Sequence, residues 1–221
     1  MYQPPLPDLV SGSGPLRRRQ WAVRVLARGL GRIDVRGISQ LPTSGGVVLA
    51  VNHRDFLDGP LLVGYLGRPV SFLVKTEAYT PRATPFLVTT GQIPVVRDRP
   101  DVVAVRAALR LLQAGGVVGV FPEGTRGDGF VRTARPGVGY FALRTGALVV
   151  PVACHGTDHL KHRRLRRPAV RITVGKPMDL GRVPVGERVS RERMLTATEQ
   201  VRVALADLVV KTMPDSEAVP A

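Results

Sequence analysis

Five short runs of apolar, mostly β-branched residues recur along the chain, and helical patterns separate several of them. The runs cover residues 47–51, 71–74, 117–121, 148–153 and 170–174. Apolar runs of this length predict strands that are buried on both faces of a sheet. Strands that alternate with helices favour a single α/β domain, with a largely parallel central sheet flanked by helices.

Two helices have clear boundaries in the sequence. Asp101 opens an apolar stripe of helical period, and Gly115 and Gly116 end it. A second helix is predicted from about residue 190 to residue 210. Within the fourth run, Pro151 indicates an edge strand or a bulge, because proline cannot donate a hydrogen bond to a neighbouring strand.

The charge balance restricts the partners. The 221 residues include 32 Lys and Arg against 17 Asp and Glu, a net charge of +15. This predicts an anionic partner: nucleic acid, an anionic membrane surface, or a phosphorylated or CoA-linked substrate. Aromatic residues make up only 5% of the chain, which weakens the single-stranded nucleic-acid interpretation. Cys154 is the single cysteine, so neither an intramolecular disulfide nor a cysteine-based metal site is expected.

The ends of the chain differ from its middle. Residues 1–15 are rich in Pro, Gly and Ser and predict a flexible arm, and residues 212–221 predict a flexible tail. Residues 16–34 predict a basic amphipathic helix. Such a helix either lies in a membrane interface or packs on the core as an ordinary surface helix, and its pattern does not choose between them. We expect no secretory signal, and no apolar run approaches the roughly 20 residues of a spanning helix.

A histidine and a carboxylate stand in the loop after the first predicted strand. His53 can take up a proton near neutral pH, and Asp58 can fold back to orient its ring and stabilise the charged form. Asp55 is a competing partner for the histidine. By itself this spacing is a weak signal, because most loop histidines are inert.

Two further segments carry charged residues. Residues 91–99 combine a glycine turn with Arg97, which suits either a phosphate site or an edge strand with solvated arginines. Residues 121–126 place Glu123 at the end of a predicted buried strand, before a glycine turn. That carboxylate suits a substrate hydroxyl or a neighbouring arginine, and an ordinary strand exit is the alternative.

Taken in order, these segments resemble the 1-acyl-sn-glycerol-3-phosphate acyltransferase (lysophosphatidic acid acyltransferase) family of glycerolipid enzymes. The resemblance covers roughly residues 35 to 178, so residues 35–211 are interpreted as an acyltransferase domain. The matching segments are Asn52 to Asp58 (the H-x4-D motif), Gly91 to Arg97, Phe121 to Arg126 (the E-G-T-R block) and Val150 to Val152.

The resemblance implies acyl transfer from acyl-CoA or acyl-carrier protein to a lysophospholipid hydroxyl, giving phosphatidic acid. His53 is the implied general base and Asp58 orients it. No metal, cofactor or covalent acyl-enzyme is expected. The residues implied to bind the acceptor are Arg97, Glu123, Gly124, Thr125 and Arg126, with additional charge from Lys75.

The chain departs from the family pattern at two positions. Arg135 stands where many relatives have lysine, and Gly127 replaces a small polar residue after the E-G-T-R block. Both leave the acceptor open, so glycerol 3-phosphate or another lysophospholipid remains an alternative. A non-catalytic basic module on membrane or nucleic acid is the other alternative, and the presence of both His53 and Asp58 favours the enzyme.

The location of the positive charge favours a membrane over nucleic acid. Residues 1–38 hold seven basic and two acidic residues, and residues 155–193 hold eleven and four. Most of the excess therefore lies outside the motifs, in the predicted amphipathic helix and in a basic stretch around residues 159–167. We expect a peripheral enzyme on an anionic membrane surface, at the cytoplasmic face, with no nucleic-acid partner.

Overall fold

The computed structural model describes residues 23–25, 31–96, 100–161 and 169–214. Within these residues, seven strands and five α-helices of six or more residues build one α/β domain. The strands are β1 (Arg32–Arg36), β2 (Val47–Val51), β3 (Val70–Lys75), β4 (Ile93–Val95), β5 (Val117–Val120), β6 (Leu148–His155) and β7 (Ala169–Val174). The helices are α1 (Asp58–Tyr65), α2 (Thr84–Thr89), α3 (Val102–Gln113), α4 (Gly137–Thr145) and α5 (Arg191–Thr212).

The strands form one sheet in the order β1-β7-β6-β2-β5-β3-β4. Every neighbouring pair is parallel except β6 and β7, which are antiparallel. The predicted fold class, an α/β domain with a largely parallel sheet, is therefore confirmed. Because β2 to β6 run in the same direction, the loops that follow them meet at one edge of the sheet, where α/β folds place their sites.

The central strand β2 divides the core into two layers, and all five of its residues are buried. Val47, Leu49 and Val51 face a core that includes residues of α1. Val48 and Ala50 face the opposite core, which is built with α3, α4 and α5. A strand that is apolar on both faces is the expected partner of helices on both sides.

Side-chain caps fix the beginnings of the two longest helices, which agree with the predicted starts. The Asp101 carboxylate accepts the N–H of Ala104 at 2.9 Å, at the start of α3. The Ser190 hydroxyl accepts the N–H of Arg193 at 3.2 Å, at the start of α5. Each cap satisfies an amide that has no partner within the helix.

The predicted end of the N-terminal helix is wrong. Residues 23–25 are helical, and the rest of residues 16–30 lies outside the described part of the chain, as does the predicted arm. Arg32 to Asp34, however, belong to β1, which pairs with β7. The pattern of β1 alternates, with Ile33 and Val35 packed against the core and the charged residues exposed. The predicted tail also begins one residue too early, because Thr212 ends α5.

The interpretation of Pro151 as an edge residue or a bulge is also wrong. Pro151 lies within β6, which has β2 on one side and β7 on the other. Its carbonyl oxygen accepts the N–H of Gly175 at 2.8 Å, one residue beyond the pairing of Val152 with Val174. A residue's nitrogen and oxygen point to the same side of a strand, so the missing donor faces this turn and the pairing with β2 is kept.

Glycine brings α4 and α5 close together. A Cβ at Gly139 would lie 2.6 Å from the Thr198 hydroxyl and 2.7 Å from the Met194 carbonyl oxygen. Both distances are too short for a Cβ contact, so any other residue would push the two helices apart. The two helices therefore pack with backbone against side chain and backbone. Among the described helices, none combines the length and the apolar character that crossing a bilayer requires.

One arginine ties two loops together at the opposite edge of the sheet from the site. Nη1 of Arg68 donates to the Pro42 carbonyl oxygen at 2.7 Å. Its Nη2 donates to the carbonyl oxygens of Gly45 at 2.9 Å and Gly115 at 2.6 Å. Since loop carbonyls near the core need partners, this guanidinium supplies hydrogen bonds that the loops lack.

We expect Arg68→Ala to lower the free energy of unfolding by about 2–4 kcal/mol, because three carbonyls lose a charged donor. Arg68→Lys should recover only part of the loss, since one ammonium cannot reproduce the spread of a guanidinium over three carbonyls on two loops. Urea unfolding at pH 7 measures both, with the exposed Arg106→Ala in α3 as the control, expected within about 0.5 kcal/mol of wild type. Equal stability of Arg68→Ala and wild type would contradict the role.

Candidate functional site

One buried carboxylate oxygen organises the loop between β2 and α1. Oδ2 of Asp58 lies 3.0 Å from Nδ1 of His53. The same oxygen accepts the N–H of Arg54 at 2.9 Å and the N–H of Asp55 at 2.8 Å. The Asp58 side chain is fully buried, and that of His53 is 15% exposed. The loop is therefore folded around the carboxylate, which holds the imidazole at a fixed distance.

The structure distinguishes the two carboxylates that could reach His53. Asp58 contacts the ring, whereas the carboxylate of Asp55 accepts the N–H of Leu57 at 3.2 Å. An ionised carboxylate only accepts hydrogen bonds, so this contact favours the hydrogen on Nδ1 of His53. In the neutral imidazole, the other ring nitrogen, Nε2, then keeps its lone pair. This is the tautomer that a general base requires.

Aromatic rings stack against the face of the imidazole. The ring of Phe121 stacks on His53, with centroids 4.0 Å apart and an angle of 21° between planes. Phe72 stacks in turn on Phe121, at 5.0 Å and 15°. Phe72 lies beside Gly119 in the pairing of β3 with β5, and a Cβ at Gly119 would overlap its ring. The absence of a side chain at Gly119 thus leaves room for the stack that ends at His53.

The turn after β5 holds the main chain of His53 on both sides. The Glu123 carboxylate accepts the His53 N–H at 2.9 Å, and the Gly127 N–H donates to the His53 carbonyl oxygen at 3.0 Å. Gly124 has a φ of 73°, the left-handed conformation that favours glycine. Sequence reasoning placed Glu123 on a substrate or an arginine and missed its contact with His53.

A buried amide at the end of β2 joins this loop to β6. Oδ1 of Asn52 accepts the Cys154 N–H at 2.7 Å, and its Nδ2 donates to the Cys154 carbonyl oxygen at 3.0 Å. Nδ2 also lies 3.3 Å from the Gly129 carbonyl oxygen. The side chain thereby takes over the strand pairing one residue beyond Val51, and the backbone of His53 is free to turn towards Glu123.

A pocket of about 550 Å³ opens beside His53. Its walls are mostly apolar and come from α1, β3 and the region of α2. Thr125, Arg126 and Lys75 supply polar groups to the lining, together with Gln92. The apolar lining residues are Phe56, Gly59, Pro60, Val63, Phe72, Leu73, Val74, Ala78, Ala83, Phe86, Leu87 and Phe121.

Two of the predicted acceptor-binding cations lie at this pocket. Lys75 and Arg126 are both exposed, and within the described residues neither forms an ion pair. Unpaired cations beside an apolar pocket suit an anionic group on an otherwise apolar ligand. Arg97 lies outside the described residues, so its predicted role remains a prediction.

Burial changes the acid–base properties of two groups near the loop. Burial raises the pKa of Glu123, and the hydrogen bond from the His53 amide partly offsets that rise. Burial, with a further contribution from the Asp58 charge, raises the pKa of the Cys154 thiol, which therefore stays protonated. No three His, Cys, Asp or Glu side chains of the described residues are grouped so that they could hold a metal ion.

Of the two departures from the family pattern, Gly127 lies in the turn after β5, and Arg135 lies just before α4 and contacts that turn. A Cβ at Gly124 would clash with the side chain of Arg135. The backbone N–H of Arg135 donates to the Pro122 carbonyl oxygen at 2.8 Å. The positive charge of Arg135 is therefore kept next to the turn. A Cβ at Gly127 would lie 3.7 Å from Oε2 of Glu123, which is an ordinary contact. A small side chain would fit there, so the glycine leaves the turn unchanged.

Comparisons with known proteins agree on one family. Residues 32–155 match the family model described as Acyltransferase. A 1-acyl-sn-glycerol-3-phosphate acyltransferase of Bacillus subtilis (strain 168) is 28% identical over 192 residues, covering 85% of this chain and 93% of the relative. A chloroplastic enzyme of the same name from Arabidopsis thaliana is 31% identical over 156 residues, covering 66% of this chain but only 44% of the relative.

A solved structure shares the fold. The crystal structure of the 1-acyl-sn-glycerophosphate (LPA) acyltransferase PlsC from Thermotoga maritima matches with a TM-score of 0.62. The match covers 90% of this chain and 81% of that chain, at 24% sequence identity. The arrangement of sheet and helices described above therefore recurs in that protein.

We expect Gly119→Ala to destabilise the protein by about 1–3 kcal/mol, because the new methyl group overlaps the Phe72 ring and the stack must move. Gly137→Ala is the matched control, since a Cβ there meets nothing within 4 Å. Urea unfolding compares the two variants with wild type. A Gly119→Ala protein as stable as Gly137→Ala would contradict the close packing of the stack.

Proposed function

The chain belongs to the acyltransferase family, and we propose from this that it moves a fatty acyl group from an acyl thioester to the free hydroxyl of 1-acyl-glycerol-3-phosphate. The product is phosphatidic acid. The observation that carries the proposal is the contact of 3.0 Å between Nδ1 of His53 and Oδ2 of Asp58, at the wall of an apolar pocket. The names of the relatives from Bacillus subtilis and Arabidopsis thaliana support the same reaction.

In the proposed reaction His53 acts as the general base. Nε2 takes the proton from the acceptor hydroxyl as its oxygen attacks the thioester carbonyl carbon. The carbon–sulfur bond then breaks, the thiolate leaves, and the imidazolium returns its proton to that sulfur. Asp58 stabilises the imidazolium through its contact with Nδ1. The acceptor supplies the nucleophile, so the protein needs no nucleophilic side chain of its own.

The apolar pocket is proposed to hold the fatty acyl chain of the donor. Its walls bring together Val63 of α1, Phe72 of β3 and Phe86 of α2, and His53 lies on the same wall. Burial of methylene groups contributes about 0.8 kcal/mol each, so a long acyl chain gains considerable binding energy there. That energy holds the thioester carbonyl close to the imidazole.

The acceptor phosphate is proposed to bind Lys75 and Arg126, with Arg97 as a third cation. The exposed positions of Lys75 and Arg126 at the pocket support this assignment. Thr125 lines the same pocket, and Gly124 shapes the turn that presents it. Two or three cations around one phosphate are typical of phosphate sites.

The proposed reaction proceeds without a metal or a resident cofactor, with acyl-CoA or acyl-carrier protein as the co-substrate. We further propose that the protein acts peripherally on an anionic membrane surface, at the cytoplasmic face, and not on nucleic acid. The net charge of +15 and the basic residues within 16–31, ahead of β1, support this location. In the described part of that segment, the Arg24 guanidinium lies 5.2 Å from the centre of the Tyr65 ring of α1.

The first test is an activity matrix on purified protein. Donors are acyl-CoA and acyl-carrier protein, and acceptors are 1-acyl-glycerol-3-phosphate, glycerol 3-phosphate and another lysophospholipid. We expect thiol release to depend on 1-acyl-glycerol-3-phosphate and to yield phosphatidic acid. His53→Ala should lower kcat by about 10²–10⁴-fold, because a general base contributes that factor.

The matrix separates the alternatives. Equal thiol release by wild type and His53→Ala would exclude the enzymatic proposal and favour a binding module. Transfer to glycerol 3-phosphate but not to 1-acyl-glycerol-3-phosphate would replace the acceptor and keep the chemistry. Circular dichroism on His53→Ala checks that any loss of activity is not a loss of fold.

A second test concerns the membrane. Substituting Ser for three arginines of the N-terminal segment should weaken binding to vesicles that contain phosphatidylglycerol by about 100-fold, since each charge contributes about 1 kcal/mol. Raising the salt concentration should weaken wild-type binding as well. Sedimentation with vesicles measures both. The substituted residues are Arg17, Arg18 and Arg19.

The control removes the same number of charges elsewhere. Arg188, Arg191 and Arg193 are exposed near the start of α5, and their replacement by Ser should leave vesicle binding within about threefold. Equal losses in the two triple variants would show that net charge alone governs binding. That outcome would contradict the assignment to the N-terminal segment.

A further inference from the structure

The peptide groups around His53 are held by one turn. The Glu123 carboxylate accepts the His53 N–H at 2.9 Å, and the Gly127 N–H donates to the His53 carbonyl oxygen at 3.0 Å. Both contacts come from a segment seventy residues further along the chain. Asp58 fixes the ring through Nδ1, but the ring also depends on the backbone to which it is attached.

Glu123 is placed for this contact and not for contact with the pocket. Phe121, Thr125 and Arg126 of the same turn line the pocket, whereas Glu123 is absent from its lining as far as the described residues define it. The carboxylate is half-buried, and burial raises its pKa. A carboxylate is costly to bury without donors, so its bond to the His53 amide also stabilises Glu123 itself.

The neighbouring residue makes this arrangement possible. The side chain of Asn52 forms two hydrogen bonds with the backbone N–H and C=O of Cys154 on β6. The backbone of β2 would otherwise pair with these groups. The strand pairing therefore ends on a side chain, and the His53 N–H points away from β6 towards Glu123. Without a carboxylate there, the end of β2 would leave this part-buried amide unpaired.

We propose that Glu123 is a positioning residue for His53: its carboxylate oxygen fixes the backbone amide of the base and does not bind the acceptor. This inference rests on the proposed function, because it concerns the rate of that reaction. The role needs an oxygen that accepts a hydrogen bond and lies as far from the backbone as a glutamate side chain extends. It does not need a negative charge.

Three variants at position 123 separate the effect of side-chain length from the effect of its charge. Glu123→Gln keeps a hydrogen-bond-accepting oxygen at the same distance from the backbone and should retain kcat within about fivefold. Glu123→Asp keeps the charge, but its side chain is one methylene shorter. Glu123→Ala removes the oxygen that accepts the hydrogen bond. Both should lower kcat about 30-fold to 100-fold, since a displacement of about 1 Å in a reacting group costs that much. The acceptor KM should stay within about threefold in all three.

Arg126→Ala is the matched comparison from the same turn. Its side chain lines the pocket and is proposed to bind the acceptor phosphate, so it should raise the acceptor KM by about tenfold or more. The opposite result at position 123 would overturn the proposal. That result is an acceptor KM raised tenfold in Glu123→Gln and Glu123→Ala, with Glu123→Asp close to wild type.

A readout independent of activity completes the test. In two-dimensional ¹⁵N–¹H NMR spectra of the full chain, the His53 amide should shift upfield in Glu123→Asp and Glu123→Ala, because its hydrogen bond is lost, and stay near its wild-type position in Glu123→Gln. An unchanged amide in all three variants would exclude the contact itself. If wild type proves inactive while the amide shifts as expected, the proposed function fails and the contact between Glu123 and His53 stands.

Discussion

The buried carboxylate of Asp58 is the group on which the geometry of the site depends. A buried charge is costly unless donors surround it, and here one oxygen accepts two backbone amides and lies against the imidazole of His53. Hydrogen bonds to a charged group contribute about 1.5–3 kcal/mol each, so the loop between β2 and α1 is fixed by the same atoms that orient the ring. Structure and chemistry are therefore coupled at this carboxylate: the loop cannot relax without releasing the histidine.

Much of the fold could be predicted from local patterns. The apolar runs predicted strands β2, β5, β6 and β7, and the helical patterns predicted helix starts at Asp101 and near residue 190, where the structure has them. Two features could not be read locally. The charged, alternating strand β1 continues a basic amphipathic pattern and becomes a strand only because β7 pairs with it. Pro151 is tolerated in a central strand because the chain beyond β7 turns beside it, which the sequence does not show.

The site was predictable where its residues are close in sequence. The spacing of His53 and Asp58 allowed a contact across one turn, and the structure places them 3.0 Å apart. The contacts of residues far apart in sequence were not predictable. From its position at a strand end, Glu123 was expected to bind a substrate hydroxyl or an arginine, with an ordinary strand exit as the alternative. Its contact is a main-chain N–H, which has no signature in the sequence. The stack of Phe72 and Phe121 on His53 depends likewise on the pairing of β3 with β5.

The absence of a side chain at Gly119 limits which substitutions the neighbouring strand accepts. The Phe72 ring occupies the space in which a side chain at position 119 would stand, so the two positions share one volume. Among homologous sequences they should covary, with a bulkier residue at one position accompanied by a smaller residue at the other. A smaller residue in place of Phe72 would widen the pocket, but it would also remove the ring that stacks on Phe121. A larger residue at position 119 of β5 would then be needed to fill that volume and to keep Phe121 and His53 in place. The width of the pocket at position 72 and the support of the His53 ring therefore change together.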